Sequence, residues 1–134
     1  MPAPISNARL WTGRVVSALV GLFLLFDAVI HLLQIAPVLE AFNQLGYSPD
    51  LAPTLGVIEL ICLALYLIPR TSILGAILLT GYLGGAVASN LRIGNPLFSH
   101  VLFPVYLGIL LWTGLYFRLG PLRTLIPLRK LEAR

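Results

Sequence analysis

Four apolar runs, at about residues 14–36, 51–68, 72–91 and 97–117, decide most of what this chain can become. Each approaches or exceeds the roughly 20 residues that a helix needs to cross the hydrocarbon of a bilayer. In lipid every backbone N–H and C=O must find its partner within the protein, and a helix supplies those partners by itself. Composition agrees, because 58% of the residues are hydrophobic and only 10% are charged, against about a quarter charged in a soluble domain. The expected fold class is all-α, an integral membrane four-helix bundle, read as a single transmembrane domain over 1–134 with a basic tail at 118–134.

The breaks between runs carry their own chemistry. Pro37 follows the first; Ser48, Pro49, Asp50 and Pro53 open the second; Pro69, Arg70 and Thr71 turn into the third; Gly94, Asn95 and Pro96 turn into the fourth. Residues 37–51 read as a loop. Arg9, Arg14, Arg70, Arg118, Arg123, Arg129, Lys130 and Arg134 fall on one side of this topology, and only Arg92 lies on the other. The positive-inside rule then puts both termini in the cytoplasm, which in a bacterium makes this a multi-pass protein of the inner membrane. A cleaved signal peptide is the rival reading of residues 1–36, but the run is too long and lacks a small-x-small cleavage site. The basic residues lack interleaved aromatics, so they address lipid headgroups, and no nucleic-acid partner is expected. Trp11, Trp112 and Tyr116 read as interfacial anchors, and the tail Leu122–Leu131 as a segment lying on the inner surface.

Against this background the polar residues inside the runs stand out. A carboxylate at the middle of a membrane helix costs about 2.5–3.5 kcal/mol on insertion scales, so it needs a partner, a wet cavity or a task. Asp27 and His31 are four apart on one helical face, which Gln34 continues; Glu59, Cys62 and Tyr66 share a face of the second run; Tyr82, Ala86 and Asn90 form a stripe on the third. Counted at ~1.5 Å per residue, Asp27 lies about 15 Å below Pro37 and Glu59 about 12 Å below Leu51, with Asn90, Arg92 and His100 near the outer mouth. The other half holds almost only Leu, Ile, Val, Ala and Gly. The expectation is a funnel open to the outer side or outer leaflet, with the Asp27 and Glu59 carboxyls near its floor, His31 shallower, and Arg92 and His100 near its rim; Asp27, His31, Glu59, Tyr82, Asn90, Arg92 and His100 are its candidate ligand-binding residues. The competing reading pairs these residues with one another, Asp27 with His31 or Glu59 with Arg92, purely to fix the helices.

Small residues recur every fourth position at Gly13, Ser17 and Gly21 and again at Gly81, Gly85 and Ser89, a pattern that lets helices approach closely and here predicts bundle contacts. Pro104 deprives the His100 carbonyl of its helical donor and predicts a kink. Cys62 is the single cysteine, which excludes a dithiol relay or a tetrathiolate metal site within one chain. Two carboxylates and two histidines suit zinc or iron by type, but the Glu-x-x-His pairs of di-iron bundles are missing. A haem between His31 and His100 rests on two histidines at helix ends alone. The sequence therefore assigns no metal and leaves the cofactor open.

The segment Gly81-Tyr82-Leu83-Gly84-Gly85-Ala86-Val87-Ala88-Ser89-Asn90-Leu91-Arg92, followed by Pro96-Leu97 and by His100 through Pro104, resembles the DoxX-like family of small bacterial membrane proteins. The Asp27-x-x-x-His31 step and the Glu-bearing second run, Leu55 through Leu67, are similar as well. The resemblance implies a four-helix membrane bundle and, through relatives associated with thiosulfate and quinone oxidation, a redox-linked context. More distant four-helix relatives include assembly and trafficking factors. The expected ligand is a hydrophobic or quinone-like small molecule entering from lipid; the alternative is a non-enzymatic accessory subunit docked on a membrane protein partner. A proton-coupled transporter fits less well, because no inverted repeat or broken central helix is visible.

Overall fold

A computed structural model describes residues 4–129, and the tail residues Lys130, Leu131 and Arg134 fall outside that range. Six helices follow one another: α1 (Asn7–Leu33), α2 (Ala36–Leu45), α3 (Ala52–Leu67), α4 (Ser72–Arg92), α5 (Phe103–Arg118) and the short α6 (Leu122–Leu125). A single 3-10 turn, Pro49–Leu51, leads into α3, and a π-helical turn, Leu97–Val101, leads into α5. With those turns included, four segments are long and apolar enough to cross a membrane: Asn7–Leu33, Pro49–Leu67, Ser72–Arg92 and Leu97–Arg118. The chain is an all-α, multi-pass membrane bundle.

The helix boundaries correct the sequence expectation in informative ways. α1 begins at Asn7, well before residue 14, because the Ser6 hydroxyl accepts from the Arg9 N–H at 3.3 Å and caps the helix beyond its apolar stretch. It stops at Leu33, short of residue 36, because Gln34 takes a left-handed conformation, φ 49°, and Pro37 starts a new helix in its first turn. The stripe of Asp27 and His31 therefore ends at His31. Asp27 sits only about 9 Å below the end of α1 at ~1.5 Å per residue, shallower than the 15 Å counted from Pro37. Residues 37–51 are no loop. α2 occupies most of that stretch, burying Val38 and Phe42 against Ala52, Ile30 and Leu55, and Gly46 ends it with φ 77°. The break expected around Pro104 lies at the junction of the π-helical turn and α5, with Pro104 in the first turn of that helix, where its missing N–H costs little.

α1 packs on α3 and α5, and α4 packs on the same two helices, so α1 and α4 occupy opposite corners of the bundle. Val20, Leu24, Leu63, Tyr66, Leu79, Leu83, Leu111 and Leu115 form the shared core. Leu19, Leu22, Phe26, Ile61, Ile77 and Ile109 point outward, as lipid permits. Glycines set several close crossings, among them two that touch α1. A Cβ on Gly114 of α5 would clash with the Ser17 hydroxyl and lie 3.2 Å from the Tyr66 hydroxyl, and one on Gly56 of α3 would lie 2.9 Å from the Ala28 carbonyl and 3.1 Å from His31 Cβ. Small residues at both crossings allow the backbones to meet. Gly81 and Gly85 do not act this way: a Cβ at either would meet nothing within 4 Å. The expectation that their stripe glues helices together is overturned, because their smallness leaves open space.

Candidate functional site

That open space belongs to a cavity of about 470 Å3 bordered by α1, α2, α3, α4 and α5. Its walls are largely apolar, with Phe23, Leu24, Leu55, Leu83, Phe103 and Leu107 among them. Phe42, Leu45 and Tyr47 close it at the α2 end. The Phe42 ring meets the His31 ring edge-on at 5.6 Å, and Tyr47 donates to the Ser89 hydroxyl at 2.6 Å, which in turn donates to the Gly85 carbonyl at 2.8 Å. α2 is thus tied to α1 and α4 across the cavity end.

Asp27, His31, Glu59 and Tyr82 gather at one place in this wall. One carboxylate oxygen from each acid and one ring nitrogen of His31 lie within 4.8 Å of one another. The helical step of four residues puts Asp27 and His31 together: the His31 Nδ1–H donates to the Asp27 carbonyl at 2.6 Å, and Nδ1 lies 3.4 Å from the Asp27 carboxylate. A carbonyl only accepts, so Nδ1 carries a proton. The close crossing at Gly56 brings α3 against the His31 backbone turn, and Glu59, one turn further along α3, then meets Asp27. Tyr82 reaches in from α4 and donates to Glu59 Oε2 at 3.2 Å. Glu59 is 0% exposed, and its Oε1 has no hydrogen-bond partner among the described residues. A fully buried polar atom left without a partner is uncommon, since leaving it so costs about 1–3 kcal/mol or more when charged.

The local sequence and the packing thus assemble a polar cluster inside an apolar chamber. Residues 15–114 match the DoxX-like family over most of the chain. The chain belongs to the DoxX-like family. No curated protein and no solved structure was found to match it.

In this DoxX-like protein the other expected site residues lie apart from the cluster. Asn90 borders the cavity, but its amide is engaged locally, donating to the Ala86 carbonyl at 2.9 Å and accepting from Asn95 at 2.6 Å. Arg92 does not line the cavity: its guanidinium donates to the Leu45 carbonyl, the last of α2, and so caps that helix end. The proposed Glu59–Arg92 pair is not formed. His100 stands on the π-helical turn beside the Ser99 hydroxyl at 2.8 Å, exposed and outside the cavity lining. The turn points it outward, and it reaches neither His31 nor the acids.

One polar assembly escaped the sequence reading. Far from the cluster, the Tyr66 hydroxyl donates to the Leu111 carbonyl at 2.8 Å and accepts from Ser17 at 2.9 Å, and the Arg118 guanidinium lies over the Tyr66 ring at 5.5 Å. Tyr66 shares a helical face with Glu59 but serves this second, structural network. The available signal was the tyrosine itself, since a buried phenol almost always finds a partner.

Proposed function

We propose that this DoxX-like protein binds one small amphipathic molecule, an apolar body with an oxygen-bearing head such as a quinone, with the head against Asp27, His31, Glu59 and Tyr82. The observation that carries this reading is the unpartnered Glu59 Oε1 in a chamber whose walls are otherwise mostly apolar. An apolar body would gain contact with Leu55, Leu83 and Phe103, while a hydroxyl head would donate to Glu59 Oε1 and a carbonyl head would accept from that atom when Glu59 carries the proton.

The test compares wild type with Asp27→Asn and Glu59→Gln, which keep shape and remove charge. Native mass spectra and organic extracts of the purified chain should show a bound small molecule in the wild type. Occupancy should fall roughly tenfold or more in the variants, the loss of one hydrogen bond to a charged group, with the melting temperature within a few degrees. Large destabilisation with unchanged occupancy per folded molecule would make the acids internal struts. Stoichiometric co-purification of a membrane subunit without any small molecule would favour the accessory-subunit reading.

Orientation belongs to the same proposal, with both termini cytoplasmic and the α2 end outside in a bacterial inner membrane. A cysteine introduced by Ser48→Cys on a Cys62→Ala background should react with impermeant reagent in intact spheroplasts. Labelling only after lysis would invert the bundle.

A further inference from the structure

We infer that Asp27, His31 and Glu59 form a binding site for one divalent first-row metal ion, with Zn2+ as its readiest occupant. The inference shares the chamber with the reading above but does not need its organic ligand. Donor atoms around such an ion at about 2.0–2.2 Å stand roughly 3.4 Å from one another. The three side chains already offer one atom each within 4.8 Å, so small rotations about their χ angles complete the approach. One imidazole and two carboxylates is a donor set that suits Zn2+, Fe2+ or Mn2+ and disfavours soft ions such as Cu+.

Three features of the surroundings point the same way. Glu59, 0% exposed, keeps an unpartnered Oε1 that a cation would occupy. Two carboxyl groups and an imidazole in an apolar wall can give up their protons in exchange for one divalent ion, whose two charges the paired carboxylates then balance. The outer partners are those of metal sites, in which a ligating histidine gives its other N–H to a carbonyl or carboxylate and a ligating carboxylate is itself hydrogen-bonded. Tyr82 holds Glu59 Oε2, and His31 Nδ1 donates to the Asp27 carbonyl 3.4 Å from the Asp27 carboxylate, so ligation by this imidazole requires the ring to turn Nε2 toward the acids or to release the Nδ1 proton in exchange for the ion. Three protein ligands leave a coordination position free, the pattern of sites that bind water or a substrate and not of closed structural sites.

The full-length chain, carrying a tag without histidines and stripped with chelator in detergent, is titrated with Zn2+ by calorimetry and with Co2+ by visible absorption. One ion per chain is expected, with Co2+ d–d bands reporting nitrogen and oxygen ligation. Glu59→Gln, Asp27→Asn and His31→Gln should each weaken Zn2+ binding by more than about 100-fold, and Tyr82→Phe, which removes an outer partner, by roughly 10–100-fold. His100→Ala should leave binding unchanged, because that imidazole is outside the cavity. Helical circular dichroism checks that each variant is folded. The site is overturned if the wild-type chain takes up no Zn2+ at millimolar concentration, or if folded Glu59→Gln and His31→Gln bind it as tightly as wild type. The wild-type titration decides even if a variant fails to fold. A chain that retains an extractable small molecule but binds no Zn2+ removes the metal site alone; one Zn2+ per chain with no small molecule removes the ligand reading alone.

Discussion

Tyr66→Ala should destabilise the detergent-solubilised bundle by about 3 kcal/mol or more, the range for truncating a fully buried aromatic side chain. Tyr66 is the largest side chain with no exposure among the described residues, and it links three helices at this end of the bundle through Ser17 on α1, Leu111 on α5 and the Arg118 guanidinium above its ring. Between lipid-exposed helices there is little hydrophobic drive to associate, so packing contacts carry the association and a vacated ring volume is felt in full. Tyr66→Phe separates ring from hydroxyl. Hydrogen bonds between membrane helices average about 0.6 kcal/mol with a maximum near 1.7, and Ser17 can turn back to a carbonyl of its own helix. The phenylalanine variant should therefore lose at most about half of what the alanine variant loses. Equilibrium unfolding in mixed micelles measures both, and equal losses would mean that the hydroxyl, not the ring, holds the bundle together.

Gly56→Leu should separate the two halves of the polar cluster. The added side chain has nowhere to go between the Ala28 carbonyl, His31 and Leu32, with even the first carbon 2.9 Å from that carbonyl. Overpacking of this kind costs about 1–3 kcal/mol and moves backbones. The movement falls one turn from Glu59, so the cluster opens, and retention of both a small molecule and Zn2+ should drop to background in protein that still folds. Gly81→Leu is the matched control for stability, since its Cβ meets nothing within 4 Å. It fills the chamber edge without pushing helices apart, so melting should stay near wild type. If Gly56→Leu keeps the cluster intact, the close crossing does not position the site.

The spanning helices were legible in the sequence because lipid leaves a hydrophobic run almost no alternative to a helix. α2 was not. Glu40, Asn43 and Gln44 give residues 37–45 a polar look, and the signal that it is helical, Val38 and Phe42 four apart with Leu45 following, is short enough to pass for chance. The proximity of Asp27 and His31 follows from helix geometry. That of Glu59 follows from nothing local, since it depends on how α3 rotates and slides against α1, which Gly56 sets through a contact between residues 28 and 56. Arg92 and His100 show the same limit from the other side. Depth along the helix says nothing of what each side chain meets: helix capping claimed the arginine and the π-helical turn carried the histidine outward.

The exposed glycines of α4 bear on how any occupant of the chamber arrives. Gly81 and Gly85 border the cavity and are also open on the bundle surface. At those positions no side chain of α4 screens the chamber. An apolar occupant crossing there never enters water, and its supply is set by its mole fraction in the membrane. Apparent affinity would then scale with the amount of lipid or detergent in the assay. Titrations at different detergent loads should collapse onto one curve only when the occupant is counted per amphiphile and not per litre.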